Sequence, residues 1–349
     1  MKVVVVAHGL SNGGAERVAA LIANDYAKNE NEVLFIAAYS DKKEYILDDR
    51  IKYIYINEQQ SNRAIKLLMR SYKINEAIKE FKADVVVSFI INEMLLCNIL
   101  KTAPIIYSLR NDPTHLLSSR LNKLICIFSY KRAKNIVFQT PGAREYFKES
   151  IQQKGVIIPN PLTENLPYWD ADKSEKVIIT ACRLNKQKNL KMLIKAFSLF
   201  HENNKEYVLK IYGKGNELDN LKKYAKECGV ESCTFFPGHS SNIHSIMARS
   251  AIFALTSDFE GLSNSMLEAL AIGIPTVCTD CPPGGAALYI EDGINGMLVP
   301  VGDSYMLYEK FCLMGKDVRL CKEMSKKEIE IRHKLSKENV LQKWERIIQ

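Results

Sequence analysis

Two glutamates eight positions apart, Glu260 and Glu268, could together bind a ligand rich in hydroxyl groups. Glu260 follows the apolar run AIFALTS, and Glu268 lies inside a predicted helix that Ser263 or Asn264 would cap. A carboxylate in the first turns of a helix can accept hydrogen bonds from two vicinal hydroxyls, as a ribose offers. A solvated helix is the alternative, but Glu268 precedes Ala-Leu-Ala and would face the core, where an unpaired Glu is costly. The pattern therefore favours a polar ligand.

Two cations, Arg183 and Lys188, lie where another predicted strand ends and could bind a diphosphate. Arginine offers a planar fork of donors, and lysine offers a point charge. The loop and helix start around Gly261, Leu262 and Ser263 would add backbone amides that face an anion. Ordinary surface charges near a turn are the alternative interpretation of the two cations.

Glycines mark several predicted strand ends. Gly13 and Gly14 follow the first strand and open a helix, whose N-terminus favours an anion. They do not form G-x-G-x-x-G, so a nicotinamide site is only weakly indicated, and taken alone the pair could be a plain turn. Gly213 follows a second strand, Gly238 a third, and the EGLS loop a fourth. Four marked ends together indicate a common ligand site.

Short apolar runs alternate with helical patterns along the chain, which is typical of an α/β fold with doubly wound parallel sheets. The predicted strands are KVVVVA, EVLFIAA, KYIYI, ADVVVSFI, APIIYSL and KNIVFQT, and then KVIITA, YVLKIYG, CTFFPG, AIFALTS and PTVCTD. Three prolines between positions 159 and 167 indicate a linker. We therefore predict two Rossmann-like domains facing a central cleft, residues 1–160 and 161–335, and a final helix at 336–349 that crosses back toward the first domain.

Composition indicates a globular protein of about two domains, since the 349 residues are 47% hydrophobic and 25% charged. No apolar run reaches the roughly 20 residues that a membrane span needs. The nine cysteines are scattered, and only Cys278 and Cys281 have a zinc-like spacing without further ligands nearby. Reduced thiols in a cytoplasmic protein are the favoured interpretation.

Positive charge is concentrated between residues 61 and 134, a segment with thirteen Lys and Arg residues and only five Asp and Glu residues. Such a basic face suits anionic lipid, phosphate groups or nucleic acid, and a solvated helix face is the equal alternative. Within it, the pattern over 63–81 predicts a helix with apolar residues such as Ile65, Leu68 and Ile74 on one side and basic residues opposite. We hypothesise that the protein binds peripherally to the inner face of the plasma membrane.

Taken in order, these pieces resemble the retaining nucleotide-sugar glycosyltransferases of family 4, of the bacterial polysaccharide and lipid-linked glycan type, which have the GT-B fold. The resemblance spans essentially the full length, and the E-x7-E pair with the upstream R-x4-K is specific in combination. The matching motifs are GGAER (13–17), IPNP (158–161), RLNKQKN (183–189), YGKGNE (212–217), FPGH (236–239), EGLSNSMLE (260–268), the segment 281–303 and a final helix of the type LSKENVLQKWERI.

The resemblance implies a site for each part of a UDP-sugar. Arg183 and Lys188 would hold the diphosphate, Glu268 the ribose hydroxyls, and Glu260 would lie beside the transferred sugar. Further donor contacts would come from Gly13, Gly14, Asn160, Gly213, His239 near the base, Gly261, Leu262 and Ser263. The acceptor contacts would be Glu16, Arg110 and Asn111.

The chain departs from the family pattern at two places. In YSLRNDP, Arg110 stands where many members carry a histidine near the sugar, so it would serve the sugar or the leaving phosphate. We count it with Glu260, Arg183 and Lys188 as a catalytic candidate. The stretch GGAALYI (284–290) lacks the acidic residue that often follows those glycines.

The implied activity is transfer of a hexose or N-acetylhexosamine from a UDP-sugar to a lipid-linked oligosaccharide or surface polysaccharide precursor. Two cations at the diphosphate and no D-x-D motif at a strand end predict front-face substitution without a metal or other cofactor. The enzyme alternatives are a nucleotide-sugar epimerase and a phosphorylase. A phosphorylase would need a pyridoxal lysine and a longer chain. A non-catalytic nucleotide-binding module is the other alternative. Because helix packing explains Phe128 and Tyr130 beside basic residues, we expect no nucleic-acid partner.

Overall fold

The computed structural model describes residues 1–11 and 13–349, and its contacts divide the chain into two compact units. Unit 1 comprises Met1–Pro161 and Glu338–Gln349, and unit 2 comprises Leu162–Lys337. Each unit has its own parallel sheet and its own hydrophobic core.

Unit 1 is built on a seven-stranded sheet in the order β3-β2-β1-β4-β5-β6-β7. The strands are β1 (Lys2–Ala7), β2 (Glu32–Ala37), β3 (Lys52–Tyr55), β4 (Val85–Ser88), β5 (Ile105–Ser108), β6 (Asn135–Phe138) and β7 (Gly155–Ile157). All neighbours pair in parallel, and β1 lies between β2 and β4. Its four valines are fully buried because helices cover both faces of the sheet. The order is that of a doubly wound Rossmann fold.

The helices of unit 1 follow its strands. They are α1 (Gly14–Lys28), α2 (Arg63–Phe81), the 3₁₀ turn Asn92–Met94, α3 (Leu95–Leu100), α4 (Pro113–Leu116), α5 (Arg120–Arg132), α6 (Pro141–Glu145) and α7 (Glu149–Gln152). The side chain of Asn62 caps α2 by accepting from the amides of Ala64 and Ile65.

Unit 2 has a six-stranded parallel sheet in the order β10-β9-β8-β11-β12-β13. The strands are β8 (Glu175–Ala181), β9 (Val208–Tyr212), β10 (Thr234–Gly238), β11 (Ser250–Leu255), β12 (Thr276–Thr279) and β13 (Met297–Val299). The helices are α8 (Leu190–His201), α9 (Leu218–Glu227), α10 (Ile243–Ala248), α11 (Asn264–Ile272), α12 (Ser304–Lys316), α13 (Val318–Glu328) and α14 (Ile331–Lys334), with 3₁₀ turns at Ala171–Lys173, Lys186–Lys188 and Glu231–Cys233.

The final helix, α15 (Lys337–Ile348), packs into unit 1. Trp344 is fully buried in the core cluster that contains the β1 strand, and its ring centroid lies 6.2 Å from that of Phe89. The ammonium group of Lys134 donates to the carbonyl of Ile348 at 3.0 Å. The C-terminus of the chain is therefore part of the unit that begins it.

One predicted pattern differs from the structure. In α2, Ile74 and Ile78 are buried, but Ile65 and Leu68 at the start of the same apolar stripe are 47% and 63% exposed. The first two turns of α2 thus present apolar side chains to solvent instead of to the core. The β7 and β13 strands are absent from the sequence prediction.

All nine cysteines are free thiols. Among the described residues, no helix combines the length and the apolar composition that crossing a membrane requires.

Candidate active site

Lys188 and Glu260 contact each other at the carboxyl edge of the unit 2 sheet. Lys188 lies in the 3₁₀ turn that follows β8, and Glu260 lies in the loop that follows β11. These strands are neighbours at the point where the strand order reverses, which is where open α/β sheets bind ligands. The Lys188 Nζ atom pairs with Glu260 Oε2, and Ser257 Oγ donates to the same oxygen at 3.2 Å. The two side chains are only 8% and 20% exposed, so the pair is largely shielded from water.

Hydrogen bonds connect the loop that contains Lys188 with the loop that contains Glu260. Thr256 Oγ1 donates to the carbonyl of Lys188 at 3.0 Å, and the amide of Asp258 donates to the carbonyl of Gln187 at 2.8 Å. Asn189 Nδ2 donates to Asp258 Oδ1 at 2.7 Å. Asn189, with a φ of 40°, also caps α8. Lys188 is therefore held in position from both of its chain neighbours.

Two predicted donor contacts lie at the surface of unit 2. The Arg183 side chain is exposed beyond β8, on the segment that leads to Lys188. His239 is exposed just beyond the end of β10. The assignments of Arg183 to phosphate and of His239 to a base stay predictions.

Glu268 lies in the second turn of α11, where its carboxylate has protein partners, and its assignment to the ribose hydroxyls stays a prediction. Its side chain is 12% exposed. Thr163 Oγ1 donates to Oε1 at 2.7 Å, and His244 Nε2 lies 3.1 Å from Oε2. Two protein partners therefore account for the burial of this carboxylate without a ligand. The capping alternatives resolve to Ser263, whose Oγ accepts from the amide of Met266.

The glycines at the strand ends of unit 2 are required by close backbone contacts. A Cβ atom at Gly213, whose φ is 130°, would lie 1.8 Å from the carbonyl oxygen of Cys182. A Cβ at Gly215 would lie 2.0 Å from the carbonyl oxygen of Leu184. Packing of the two strand-end loops therefore explains these glycines, and they are no independent sign of an anion. Gly261, Leu262 and Ser263 are all buried.

The glycine pair of unit 1 opens α1. Gly13 is the N-terminal cap in an extended conformation, and Gly14 is the first helical residue. The Glu16 carboxylate folds back so that its Oε2 would lie 1.8 Å from a Cβ at Gly13. An acidic group thus lies at the very helix start where the sequence predicted an approaching diphosphate.

Arg110 is a half-buried cation at the carboxyl edge of the unit 1 sheet, just beyond β5. Its Nε donates to Ser108 Oγ at 2.6 Å, and its Nη1 donates to Asn160 Oδ1 at 2.7 Å. The guanidinium carbon lies 5.3 Å from the ring centroid of Phe89 and 5.4 Å from that of Trp344. Burial lowers the pKa of Arg110 to about 9. Asn160, predicted to touch the donor, is thus the residue that orients this guanidinium.

A cavity of about 340 Å³ lies next to Arg110, within unit 1. It is lined by residues that follow four adjacent strands, β2, β1, β4 and β5. The polar lining residues are His8, Tyr39, Asn92, Glu93, Ser108, Arg110, Asn111 and Asn122. Among the described residues that line this cavity, Arg110 and Asn111 belong to the predicted acceptor set, and Glu16 is not present.

Three cavity residues that the sequence reasoning missed form a contact cluster. The His8 and Tyr39 rings stack with centroids 4.7 Å apart, and the Tyr39 hydroxyl donates to Glu93 Oε1. The guanidinium carbon of Arg70 lies 3.9 Å from the Tyr39 ring centroid. Each of His8, Tyr39 and Glu93 follows a strand of the sheet, so the strand-end rule applied to unit 1 could have found them.

Comparison with known proteins agrees with this architecture. Residues 162–330 match the family model of the glycosyl transferases group 1. An uncharacterized glycosyltransferase of Haemophilus influenzae is 26% identical over 97% of both chains. A Campylobacter jejuni α-1,4-N-acetyl-D-galactosaminyltransferase, named for an undecaprenol diphosphate-linked glycan, is 23% identical over 93% of this chain and 91% of the relative.

The fold is also that of a solved structure. Anabaena HepE, crystallised with UDP and glucose, superposes with a TM-score of 0.84 at 19% identity, covering 99% of this chain and 98% of that one. The two doubly wound units and the group 1 match of unit 2 agree with one assignment. The chain is therefore a glycosyltransferase of the GT-B fold, and its residues 162–330 match the glycosyl transferases group 1.

Proposed function

We propose that this enzyme transfers a hexose or N-acetylhexosamine from a UDP-sugar to a glycan acceptor with retention of configuration and without a metal ion. The observation that carries the proposal is the contact between Lys188 and Glu260. These residues are 72 positions apart, and the fold joins them at the strand-order reversal of unit 2. A cation for the diphosphate and a carboxylate for the sugar would then be adjacent, as the two halves of a sugar diphosphate are.

The proposed chemistry breaks the bond between the anomeric carbon and the β-phosphate oxygen and forms a bond to an acceptor oxygen on the same face. The acceptor proton passes to the leaving phosphate, so that no protein base is needed. Negative charge grows on the diphosphate, and Lys188 and Arg183 would stabilise it. Glu260 would lie beside the sugar as its anomeric carbon becomes cationic.

The donor and acceptor classes rest on the relatives. HepE is named with UDP and glucose, which supports a UDP-sugar donor for unit 2. The Campylobacter relative is named for an undecaprenol diphosphate-linked glycan, which supports a lipid-linked oligosaccharide or surface polysaccharide precursor as acceptor. Action at the cytoplasmic face of the membrane is part of the same proposal.

The test measures UDP release from a panel of UDP-sugars, with and without a polyprenyl diphosphate-linked acceptor. We expect acceptor-stimulated release that persists in EDTA, and a product whose anomeric proton coupling matches that of the donor. Conversion of one UDP-sugar into another without UDP release would instead identify an epimerase. Binding of UDP without any turnover would identify a non-catalytic module.

Exposed apolar side chains of unit 1 support peripheral binding to an anionic membrane. Leu68 on α2, Ile99 on α3, and Leu121 and Leu124 on α5 are each more than half exposed. Exposed basic residues flank them at Arg63, Lys101, Arg120 and Lys123. The leucines would enter the interface while the cations meet lipid phosphates, at about 1 kcal/mol for each cation.

Co-sedimentation with liposomes tests this membrane contact. We expect binding to vesicles with anionic lipid, weakened by salt and by Leu124→Ser. The matched control is Leu313→Ser on α12 of unit 2, where the leucine is also exposed. Equal binding to neutral and anionic vesicles at all salt concentrations, or equal loss in both variants, would contradict the proposal.

A further inference from the structure

The cavity of unit 1 contains a cation whose charge no described residue neutralises. Arg110 Nε and Nη1 donate to the neutral oxygens of Ser108 and Asn160. Arg110 Nη2 is buried and has no hydrogen-bond partner among the described residues. Within the same described residues, no carboxylate forms an ion pair with this guanidinium. A charge that is largely shielded from water and has no counter-ion is costly unless a ligand supplies one.

The other charged lining residue, Glu93, is engaged elsewhere in the cavity. Glu93 is 4% exposed, its carboxylate accepts from the Tyr39 hydroxyl, and the Arg70 guanidinium lies over that tyrosine ring. The Glu93 charge therefore has a cation nearby, whereas the described residues supply no anion to Arg110. The cavity lining thus contains one acidic and one cationic side chain.

The remaining polar lining consists of groups that suit hydroxyls. Asn92, Asn111 and Asn122 supply side-chain amides, which can both donate and accept. A volume of about 340 Å³ is at the small end of the range for small-molecule sites, roughly 300–1,000 Å³. It matches a single sugar ring with its substituents better than a long oligosaccharide.

We propose that this cavity binds an acidic sugar unit, in which a carboxylate or phosphate ester pairs with Arg110 while hydroxyls meet Glu93 and the asparagine amides. The inference deepens the proposed function, because it names the chemical class of sugar that unit 1 recognises. The anion supplies the missing counter-charge to Arg110. A neutral sugar would leave this charge without a counter-ion.

The test uses the full-length protein and isothermal titration with three probes. These are glucuronic acid for a carboxylate, glucose 6-phosphate for a phosphate ester, and glucose as the neutral analogue. We expect one of the acidic probes to bind at least 10-fold more tightly than glucose, and the tighter of the two identifies the anion. Arg110→Gln should weaken that probe about 10- to 100-fold, the effect of losing a charge-assisted hydrogen bond.

Two further variants make the result decisive. Arg110→Lys keeps the charge without the fork and should restore part of the affinity. Arg132→Gln removes an exposed arginine of the same unit and should leave affinity unchanged. Binding of glucose as tightly as the acidic sugars, no binding of either acid, or an unaltered affinity in Arg110→Gln would overturn the inference.

The outcome is separable from that of the proposed function. Urea unfolding of the same samples reports that each variant is folded. UDP release from UDP-sugars tests glycosyl transfer whatever the Arg110 cavity binds. A protein that turns over UDP-sugars yet ignores the acidic probes would keep the proposed function and lose only this inference.

Discussion

Replacing Lys188 by methionine tests the centre of the proposed mechanism, since it removes the ammonium group and keeps most of the side-chain volume. Its side chain is 8% exposed, and that of its partner Glu260 is 20% exposed. Breaking a buried ion pair from one side costs about 3–5 kcal/mol, and the partial exposure of Glu260 places the expected loss of stability at or below the lower end. Loss of a preorganised charge at the leaving group should reduce kcat by about 10²–10³.

The assay compares UDP release and urea unfolding for four proteins and one control variant. They are the wild type, Lys188→Met, Glu260→Gln and the double variant. Lys186→Met is the matched control, because Lys186 lies exposed in the same 3₁₀ turn and should behave as the wild type. The loss in free energy of unfolding of the double variant should be smaller than the sum of the losses of the two single variants. The double variant should nevertheless remain inactive. A folded Lys188→Met protein that turns over within about threefold of the wild type would refute the role of Lys188.

Three more predictions concern other buried groups. Glu268→Gln should weaken UDP binding by about 1.5–3 kcal/mol and abolish discrimination against 2′-deoxy-UDP, both measured by titration. Undiminished discrimination would show that Glu268 does not bind the ribose. Trp344→Ala should cost unit 1 about 3–5 kcal/mol in urea unfolding, because Trp344 is fully buried. Burial raises the pKa of Glu328 in the folded protein. The protonated carboxyl therefore stabilises the fold fully at a pH below its pKa in the unfolded chain, and this stabilisation is lost as the pH rises toward its pKa in the folded protein. Glu328→Gln should flatten that slope by up to about 1.4 kcal/mol per pH unit, and an unchanged slope would contradict this.

Elements with strong local signals are those that the sequence predicts well. The α2 helix spans Arg63–Phe81, the same residues that the periodicity predicts, and the side chain of Asn62 caps its N-terminus. The β7 and β13 strands were missed because each is a three-residue edge strand. So few residues give no periodicity to detect.

The location of the site was predictable, but its contacts were not. The strand-end rule placed Lys188 and Glu260 in one region, since both follow central strands of one sheet. It could not show that they would pair with each other. Thr163 lies 105 residues before Glu268, and no local pattern connects them. The exposed first half of α2 was missed for a related reason, because periodicity reports an apolar face without saying what covers it.

Glycines in the two units differ in what a substitution can reveal. Alanine at Gly213 would meet a carbonyl of the neighbouring loop, so lost activity there would report backbone damage. At Gly13 the backbone is extended, with a φ of −149°, and the described atoms nearest to the added carbon belong to the Glu16 carboxylate, which can move. Gly13→Ala should therefore fold normally. If the helix start must approach a diphosphate, its UDP-sugar turnover should fall at least about 10-fold with unfolding unchanged. Undiminished turnover would show that Gly13 serves only as the turn into α1.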